Sequence, residues 1–425
     1  MVPVPILRTR VTAHIAQPAP SLTSVPSKVL VIGAGPAGTA CAATLKRHGH
    51  DVVVVDKAVF PRDKCCGDGL TTNALRVLES LEFDPTTIAN FQPCSNVEVR
   101  SPRGTVIELD LPDHQGLFAA IAPREQLDFA LVNMCRERGI TIHENSAFIS
   151  MPRNDADGVT VEIENLGHID VDFVVAADGM WSPVRKALGL STPGYLGEWH
   201  AFRQYVNNVT GRAAHKLHVW FDEDLLPGYA WSFPLPGNRA NIGFGILRTS
   251  ERSVQFMNDT WRDLLTRPHI VEALGNGFVP EGRHTAWPIP ARIDSAVRSS
   301  GRVLFVGDAV CATDALTGEG IGQALETGIA AAEAIHAGTD AASVRRIYSE
   351  TLDKTLLADH RMSVTLGKML ASPRIAQWVL ALVNVNSWTR RNFVRWMFED
   401  EPRALVLTPR RWHRRFLKRP GAYQK

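Results

Sequence analysis

Three glycines spaced as G-x-G-x-x-G are the residues whose type and spacing indicate chemistry most directly. Gly33 allows a tight turn, Gly35 lets the backbone approach a phosphate group, and Gly38 allows the next helix to pack close to the strand before it. That helix, which begins near Pro36 and Ala37, would direct its N–H groups and the positive end of its dipole at a diphosphate. The pattern therefore predicts that a dinucleotide is held by its diphosphate.

An acidic residue ends the next apolar segment, where the ribose of such a dinucleotide needs a hydrogen-bond acceptor. Four valines lead from Asp51 to Asp56, and the run is typical of a buried parallel strand. Asp56 follows the glycines by about 20 residues, the distance at which an acid reaches a ribose hydroxyl. We expect Asp56 and its neighbour Lys57 at the site. An ordinary βαβ unit without a ligand is the alternative.

A second glycine-rich segment, far along the chain, decides which dinucleotide is expected. The apolar run from Arg302 ends in Gly307 and Asp308. It is followed by a glycine-rich helix start, in which we expect site residues at Gly318, Gly320, Ile321 and Gly322. Asp308 can accept a hydrogen bond from a ribityl hydroxyl, and the helix dipole can stabilise a flavin pyrimidine that becomes anionic on reduction. An NAD-dependent dehydrogenase needs no such segment, so these residues favour a flavin.

The order of these segments resembles that in FAD-binding flavoproteins similar to p-hydroxybenzoate hydroxylase. A third apolar strand ends in Asp178 and Gly179, in the order typical of that superfamily. The segment Pro123–Asp128 matches the superfamily's R-x-x-L/F-D helix start, in which the arginine, here Arg124, lies near the FAD. The resemblance covers roughly residues 28–340 and implies FAD as the cofactor.

Two more motifs narrow the resemblance to the geranylgeranyl reductase family, which reduces isoprenoid C=C bonds in lipids, menaquinones and chlorophyll precursors. Phe60–Leu70 reads FPRDKCCGDGL and resembles the family's FPRxKPCGxG segment near the flavin. Pro227–Pro234 reads PGYAWSFP and resembles the GYxWxFP segment that lines the family's pocket. Cys66 falls on the family's flavin-proximal cysteine, whereas Cys65 replaces the usual proline.

The resemblance implies the chemistry of the site as well as its residues. Reduced flavin delivers a hydride to one carbon of an alkene, an acid supplies the proton, and the protein holds an apolar chain and excludes water. Cys66 and Gly69 are expected to be catalytic, with Cys66 and Gly67 beside the FAD. The expected substrate-binding residues are Trp220, Tyr229, Trp231, Phe233 and Pro234. A packed thiol in a tight loop and a plain aromatic sheet core are the alternatives.

Oxygenation and halogenation are the rival functions, because flavin-dependent monooxygenases and halogenases share the same FAD-binding fold. They act through a C4a-peroxide, here on a small aromatic or carrier-tethered substrate. Tyr229–Pro234 matches the halogenase motif W-x-W-x-I-P only partly, and the sequence offers no clear pocket lysine. A non-catalytic lipid escort is a third possibility, but such proteins lose the second FAD motif, which is intact at Gly307 and Asp308.

The sequence predicts an α/β fold with a Rossmann-type FAD-binding domain, an antiparallel β-sheet substrate domain and a helical C-terminal region. Alternating apolar and polar residues over about 190–290 indicate the antiparallel sheet. The predicted boundaries are 1–27 for a disordered tail, 28–95 with 121–189 and 300–340 for the FAD-binding domain, 96–120 with 190–299 for the substrate domain, and 341–425 for the helical region.

Composition places the chain among globular enzymes of the reducing cytoplasm. It has 425 residues, 45% hydrophobic and 21% charged, which suits an enzyme with two or three subdomains. The six cysteines show neither a zinc spacing nor a secreted-scaffold pattern, so no metal is expected. Residues 1–27 are proline-rich without acids, which favours a disordered tail over a transit-type leader.

The C-terminal segment 387–425 is basic and aromatic. It has eleven lysines and arginines against three acids, and it follows an apolar stretch too short to span a bilayer. Such a segment favours either peripheral contact with an anionic membrane or a solvated helical cap, and no motif indicates nucleic-acid binding. No second GxGxxG is present. We therefore expect an apolar small-molecule or lipid substrate, and an external electron donor such as NAD(P)H, ferredoxin or a flavin reductase.

Overall fold

The structure, a computed structural model, describes residues 26–112, 115–405, 408 and 419–424. The predicted disordered tail lies outside these residues, apart from Pro26 and Ser27. Part of the predicted basic and aromatic segment, including Trp412 and Phe416, also lies outside them.

The described residues form twenty strands in four sheets. The strands are β1 (Lys28–Ile32), β2 (Asp51–Val55), β3 (Gly69–Leu70), β4 (Gln92–Pro93), β5 (Asn96–Arg100), β6 (Val106–Asp110), β7 (Ala120–Ile121), β8 (Thr141–His143), β9 (Phe148–Asn154), β10 (Val159–Ile163), β11 (Gly167–Val171), β12 (Phe173–Ala176), β13 (Trp199–Asn207), β14 (Leu217–Trp220), β15 (Tyr229–Leu235), β16 (Arg239–Leu247), β17 (Val279–Pro280), β18 (Thr285–Ile289), β19 (Ser299–Ser300) and β20 (Val303–Phe305).

Eleven α-helices accompany the strands in the same part of the chain. They are α1 (Pro36–Arg47), α2 (Thr72–Ser80), α3 (Arg124–Glu137), α4 (Pro183–Ala187), α5 (Val254–Leu264), α6 (Pro268–Leu274), α7 (Ile321–Ala337), α8 (Ala341–Leu352), α9 (Ala358–Leu370), α10 (Pro373–Val383) and α11 (Ser387–Met397). None of these helices is both long enough and apolar enough to span a bilayer.

A six-stranded sheet in the order β19-β20-β12-β1-β2-β8 forms the dinucleotide-binding half of the fold. Its strands pair in parallel except for the edge strand β19. Strands β1, β2, β12 and β20 are rich in valine because most of their side chains are buried on both faces. Gly33, Asp56, Ala177 and Val306 follow the carboxyl ends of these four strands. The three predicted acidic and glycine-rich segments therefore meet at one edge of the sheet.

Helices α1 and α7 pack against each other beside this sheet. A Cβ atom on Gly328 of α7 would lie only 2.1 Å from the carbonyl oxygen of Ala37 in α1. A glycine is therefore required at this helix crossing, and it brings the N-terminal ends of both helices to the edge where the ligand residues lie.

A second sheet, in the order β17-β13-β16-β15-β14-β5-β6 with β18 paired to β13, forms the other half of the fold. Its pairs are antiparallel except for β5 with β14, which are parallel. One face packs on α5 and α6 through a buried cluster that includes Phe244, Met257 and Trp261. The predicted fold class is confirmed, and the segment predicted to add strands to this sheet supplies β5 and β6.

The C-terminal helices pack against the second sheet. Side chains of α10 and α11, including Leu380, Val383 and Val394, pack into a cluster with Val97 and Ile107 of β5 and β6. The helical region predicted after residue 340 is therefore part of the folded body up to Met397.

Candidate functional site

A cavity of about 920 Å³ lies between the carboxyl edge of the parallel sheet, the inner face of the second sheet and the C-terminal helices. This volume is within the range of ligand pockets in proteins. One part is lined by the glycine-rich segments and acidic residues, and the other part is lined by aromatic and aliphatic side chains. The two parts form one continuous cavity, so a polar ligand and an apolar ligand can lie side by side in it.

The glycine-rich turn has the close approaches that its spacing requires. Gly33 has φ +109°, and a Cβ atom there would lie 2.3 Å from the carbonyl oxygen of Ala177. A Cβ atom on Gly38 would lie 1.8 Å from the carbonyl oxygen of Gly33, so only glycine lets α1 begin so close to β1. At Gly35 a Cβ atom would meet nothing closer than 3.6 Å among the described atoms beyond its chain neighbours. Gly35 lines the cavity, which leaves its backbone open to a phosphate group.

Asp56 braces the loops around this turn. Its Oδ2 accepts a hydrogen bond from the backbone N–H of Ala34 at 2.7 Å, and its Oδ1 accepts one from Ala58 at 2.8 Å. A carboxylate has further lone pairs, so Asp56 can hold the turn and still accept a ribose hydroxyl. Lys57, next to it, also lines the cavity.

Two arginines share one aspartate beside the glycine-rich turn. Arg124 donates to both oxygens of Asp128 at 2.8 Å, and Nη1 of Arg62 lies 3.0 Å from Oδ2 of the same carboxylate. Two cations facing one anion leave a net positive charge at the cavity wall, which suits a diphosphate. The sequence predicted Arg124 but not Arg62. The position of Arg62 soon after Asp56, within the FPRDKCC segment, was the available signal.

Asp178 presents an unpaired oxygen at the cavity. Its Oδ2 accepts hydrogen bonds from Oγ of Ser182 at 2.8 Å and from the N–H of Val184 at 3.0 Å. Its Oδ1 is buried and has no hydrogen-bond partner among the described residues. Burial raises the pKa of Asp178 to about 6. A buried carboxylate oxygen without a donor fits a ligand that brings hydroxyl groups, as FAD does.

Asp308 forms an ion pair that the sequence did not indicate. Nζ of Lys64 lies 2.9 Å from Oδ2 of Asp308, and it also lies over the ring of Trp287, 5.8 Å from the centroid. Burial opposes ionisation of Asp308, but the charge of Lys64 outweighs it and holds the pKa below its usual value. The pair connects the FPRDKCC loop to the second glycine-rich segment. Asp308 remains at the cavity wall with its other oxygen available to a ribityl hydroxyl.

The cysteine loop and the aromatic strand β15, distant in sequence, are in contact. A Cβ atom on Gly67 would lie 3.3 Å from Cε2 of Phe233, and one on Gly69 would lie 3.1 Å from the same atom. Glycine at both positions therefore lets the loop lie flat against the aromatic ring. Burial raises the pKa of the Cys66 thiol to about 11, so at neutral pH this side chain is a thiol rather than a thiolate.

Asn241 connects these two motifs. Its amide Nδ2 donates to the carbonyl oxygen of Cys66 at 2.9 Å and to Oδ2 of Asp68 at 2.7 Å, while its Oδ1 accepts from Nε1 of Trp231 at 3.2 Å. Asp68 also accepts from the hydroxyl of Tyr205 at 2.7 Å and has φ +66°. The sequence did not single out Asp68 or Asn241. The only sequence signal for Asp68 was its place in an aspartate–glycine pair, which tolerates a left-handed backbone.

Two of the predicted substrate-binding residues, Trp220 and Pro234, do not line this cavity. Trp220 lies on the other face of the sheet, stacked on His218 at 5.4 Å in the core beneath α5 and α6. Successive side chains of a strand point to opposite faces, so Val219 of the same strand lines the cavity instead. Pro234 lies inside β15, paired with Ala240, rather than at a turn. Tyr229, Trp231 and Phe233 lie at the cavity, and their roles stay predictions.

Gly179, which follows β12, and the remaining predicted residues of the second glycine-rich segment divide between the cavity and a helix contact. Gly179, Gly307, Gly318, Gly320 and Ile321 line the cavity. Gly322 faces α2 instead, where a Cβ atom would lie 3.5 Å from Nδ2 of Asn73.

The C-terminal helices supply the apolar part of the cavity, which the sequence did not predict. Their lining residues are aliphatic or aromatic apart from Arg403, which follows α11: Ile375, Ala376, Val379, Leu380, Phe393, Trp396, Met397, Phe398 and Arg403. The opposite side of the same helices is exposed, with Trp378 and Trp388 each 64% accessible to solvent. Helix α10 is thus apolar on both faces.

The chain is similar to known FAD-binding proteins over most of its length. The sequence profile of the FAD binding domain family matches residues 26–347. A menaquinone reductase from Mycobacterium tuberculosis is 30% identical over 383 residues, covering 81% of this chain and 84% of that protein. A digeranylgeranylglycerophospholipid reductase from Methanosarcina mazei is 27% identical over 335 residues, covering 76% of this chain and 78% of that protein.

Two solved structures share the fold. A geranylgeranyl bacteriochlorophyll reductase-like protein from Thermoplasma acidophilum has a TM-score of 0.74 at 19% identity, covering 91% of this chain and 99% of that one. The flavin-dependent halogenase CmlS has a TM-score of 0.67 at 22% identity, covering 92% of this chain and 74% of that one. Identities this low establish the common fold alone.

Proposed function

The chain belongs to the FAD binding domain family and is an FAD-dependent oxidoreductase of the geranylgeranyl reductase type, and from that premise we propose that it reduces carbon–carbon double bonds of an isoprenoid or similarly apolar substrate. The family and the FAD cofactor were both predicted from the sequence and are confirmed. The substrate class rests on the apolar part of the cavity, which continues directly from the residues placed for FAD.

The FAD would lie across the glycine-rich edge of the parallel sheet. Arg62 and the N-terminus of α1 would hold the diphosphate, Asp56 a ribose, and Asp308 the ribityl chain. When bound and reduced, FAD supplies a hydride ion.

The protein would position the alkene and exclude water from it. Trp231 and Phe233 form one wall of the apolar part, and α10 and α11 form the facing wall. Phe233 contacts the Cys66 loop directly. An apolar chain bound between these walls would therefore have its double bond near that loop. Burial of such a chain contributes about 25 cal/mol per Å² of apolar area removed from water, which favours long substrates over small ones.

Oxygenation or halogenation of a small aromatic or carrier-tethered substrate is the second candidate, since a halogenase has the same fold. An anaerobic stopped-flow experiment separates the two. Dithionite-reduced protein is mixed with a prenyl lipid or prenyl quinone, and separately with O₂. We expect flavin reoxidation by the prenyl compound, a product heavier by two hydrogens, and no long-lived C4a adduct with O₂. A stable adduct without anaerobic reoxidation would support the second candidate instead.

A cavity-filling variant with a matched control tests the placement of the substrate. Val379 lines the cavity from α10, whereas Val254 of α5 is exposed and lies outside the cavity. Val379→Trp should slow reoxidation by a long prenyl substrate more than tenfold while the FAD content stays unchanged. Val254→Trp adds the same bulk on an exposed surface of α5 and should react like the wild type. Equal rates in both variants would place the substrate elsewhere.

We also propose that the exposed side of α10 and the start of α11 contact an anionic membrane. This surface, formed by Trp378, Leu382, Val385 and Trp388, is apolar and exposed. The chain from 360 to 398 contains six arginines and lysines but no acid, which complements anionic headgroups. The predicted contact through 387–425 is thereby extended to α10. A lipid could then pass from the membrane to the cavity across a single helix.

Vesicle sedimentation tests the membrane proposal. The double variant Trp378→Ser and Trp388→Ser should bind phosphatidylglycerol vesicles less than the wild type does. The control Val254→Ser removes an equally exposed apolar side chain on α5 and should bind like the wild type. Undiminished binding of the double variant would remove the proposal.

For the electron donor, we propose a transiently docking NAD(P)H, ferredoxin or flavin reductase. The reason is that the chain has no second GxGxxG segment. Anaerobic mixing of the oxidised protein with each donor in turn identifies which of them reduces the flavin.

A further inference from the structure

A group of buried acidic side chains with one arginine lies at the N-terminal end of α7. Nε of Arg403 is 3.5 Å from Oδ2 of Asp314, and Nη2 of Arg403 is 3.6 Å from Oε1 of Glu399. Glu319 lies beside them and lines the cavity, where its charge influences both Asp314 and Glu399. We call these four residues the acid cluster. It contains three carboxyl groups but a single guanidinium.

Asp314 is the carboxyl group of the cluster that stays ionised. Its Oδ1 accepts from the N–H of Leu316 at 3.0 Å and from the N–H and Oγ1 of Thr317 at 2.8 Å, and its Oδ2 accepts from Oγ of Ser363 at 2.6 Å. Burial opposes ionisation, but Arg403 and these donors outweigh it and lower the pKa of Asp314. The charge of Arg403 is therefore largely matched by this one carboxylate.

Among the described residues, neither glutamate forms an ion pair with a cation other than Arg403, although the more distant Arg124 favours the ionised form of Glu319. Burial raises the pKa of Glu319 and of Glu399, and the other carboxylates raise both further. Two like charges enclosed in one low-dielectric region do not both ionise easily. Oε1 of Gln323, a residue more than nine-tenths buried, has no donor among the described residues, although its Nε2 donates to Glu399 at 3.0 Å. A protonated carboxyl or a ligand hydroxyl is the donor type that this oxygen lacks.

Backbone N–H groups at the start of α7 stabilise the ionised form of Glu319 after it loses a proton. Its Oε1 accepts from the N–H groups of Ile321 at 3.0 Å and Gly322 at 3.1 Å, at the positive end of the α7 dipole. Burial favours the neutral acid and the helix end favours the carboxylate. A group balanced in this way can give up a proton and regain it near neutral pH.

The thiol of Cys66 and the hydroxyl of Tyr229 at the cavity hold their protons more tightly. Burial raises the pKa of the Cys66 thiol to about 11, and it raises the pKa of the Tyr229 hydroxyl well above its usual value. His218 lies on the opposite face of the sheet, 3.4 Å from Glu98, and His215 is exposed outside the cavity. Among these groups a carboxylic acid is the best match for proton transfer near neutral pH.

We propose that Glu319 is the acid that delivers a proton to the substrate in the cavity, that Glu399 is a positioning residue that keeps it protonated between turnovers, and that Arg403 holds Asp314 and Glu399 in place. The proposal rests on the function proposed above. Reduction of one C=C bond forms two C–H bonds, one from the hydride of the reduced cofactor and one from the proton of Glu319, whose O–H bond breaks. Solvent then reprotonates the carboxylate. The groups that face Glu319 are Cys66, Arg124, Tyr229, Asp314, Glu399 and Arg403.

Infrared difference spectroscopy of the full-length protein tests where the proton resides, without substrate and in both the FAD-free and FAD-loaded protein. At pH 7 we expect the C=O stretch of protonated carboxyl groups in the wild type and a weaker band in Glu319→Gln, whose amide oxygen can still accept from Ile321 and Gly322. The control Glu333→Gln lies on the same helix, outside the cavity, and should keep the band. A band of undiminished intensity in Glu319→Gln, or no band in the wild type, would overturn the proposal whatever the substrate is.

Kinetics then separate proton delivery from a structural role. Glu319→Gln should retain FAD, reduce the alkene more than tenfold more slowly, and lose the pH dependence that the wild type shows near neutrality. Wild-type rates and an unchanged pH profile in this variant would overturn the proposal while leaving the reductase function intact. Absence of alkene reduction by the wild type would instead overturn the proposed function and, with it, the donor role. If Glu319→Gln does not fold, Glu399→Gln is measured instead. The carboxyl band of Glu319 should then titrate at a lower pH than in the wild type, and an unchanged titration would overturn the proposed role of the acid cluster.

Discussion

Gly35 is a position at which one added methyl group should separate ligand binding from folding. Its backbone has φ −75° and ψ −174°, an extended conformation that alanine adopts without strain. A Cβ atom there would have its nearest contact at 3.6 Å, with Nη2 of Arg62, and would occupy the cavity wall where we place the diphosphate. Gly35→Ala therefore tests the position of the FAD without disturbing the packed core.

The two expected effects of Gly35→Ala have opposite signs. In the FAD-free protein the variant should be slightly more stable, by about 0.4–1 kcal/mol, because alanine restricts the unfolded chain and meets no obstruction in the folded one. The affinity for FAD should fall at least tenfold, which corresponds to about 1.4 kcal/mol. The methyl group keeps the phosphate from approaching the backbone N–H groups at the start of α1.

Gly328→Ala is the matched control, since it adds the same methyl group where there is no room. Its Cβ atom would lie 2.1 Å from the carbonyl oxygen of Ala37, and a backbone atom cannot give way as a flexible side chain can. Overpacking costs about 1–3 kcal/mol, against a gain in helix propensity of up to about 1 kcal/mol, so the free energy of unfolding should fall.

Urea unfolding of the FAD-free proteins and calorimetric titration with FAD measure both quantities. Gly35→Ala with wild-type affinity for FAD would refute the placement of the diphosphate at this turn. A Gly35→Ala protein that unfolds at lower urea concentration than the wild type would show that the backbone is strained there, contrary to its dihedral angles.

Three further changes test other parts of the site. Cys66→Ala should retain FAD but slow anaerobic reoxidation by a prenyl substrate more than tenfold, at least about 1.4 kcal/mol in the barrier, and unchanged turnover would leave Cys66 a packing role. Asp308→Ala should lose FAD during gel filtration, because it removes the ribityl acceptor, and a fully loaded variant would contradict that assignment. Burial raises the pKa of Asp178 to about 6, so its contribution to the stability of the FAD-free protein is complete below about pH 4 and is lost as the pH rises through 6. Asp178→Asn should remove that loss in urea unfolding at pH 4 to 7, and an identical pH slope in the variant would argue against it.

The sequence by itself determined the local parts of the FAD site. Gly33 and Gly38 have the close contacts, and Gly35 the open space, that their spacing predicts. Asp56, Asp178 and Gly307 lie at one edge of the sheet because each follows a parallel strand. Such features depend on short-range backbone sterics and on the alternation of strands and helices, and both can be read from a few neighbouring residues.

The tertiary structure alone decided which distant residues meet. The alternation of residues in β14 shows which side chains share a face of the sheet, but it does not show which face lines the cavity. Trp220 was therefore predicted in the pocket although it belongs to the core. Lys64 reaches Asp308 across 244 positions, and Glu399 reaches Gln323 at the start of α7 across 76, only because the chain folds back on itself. The sequence suggested that the C-terminal helices form a solvated cap or contact a membrane. In the structure, α10 and α11 line the cavity. Long-range contacts are fixed by topology and by burial of the apolar surface as a whole, and no local pattern encodes either.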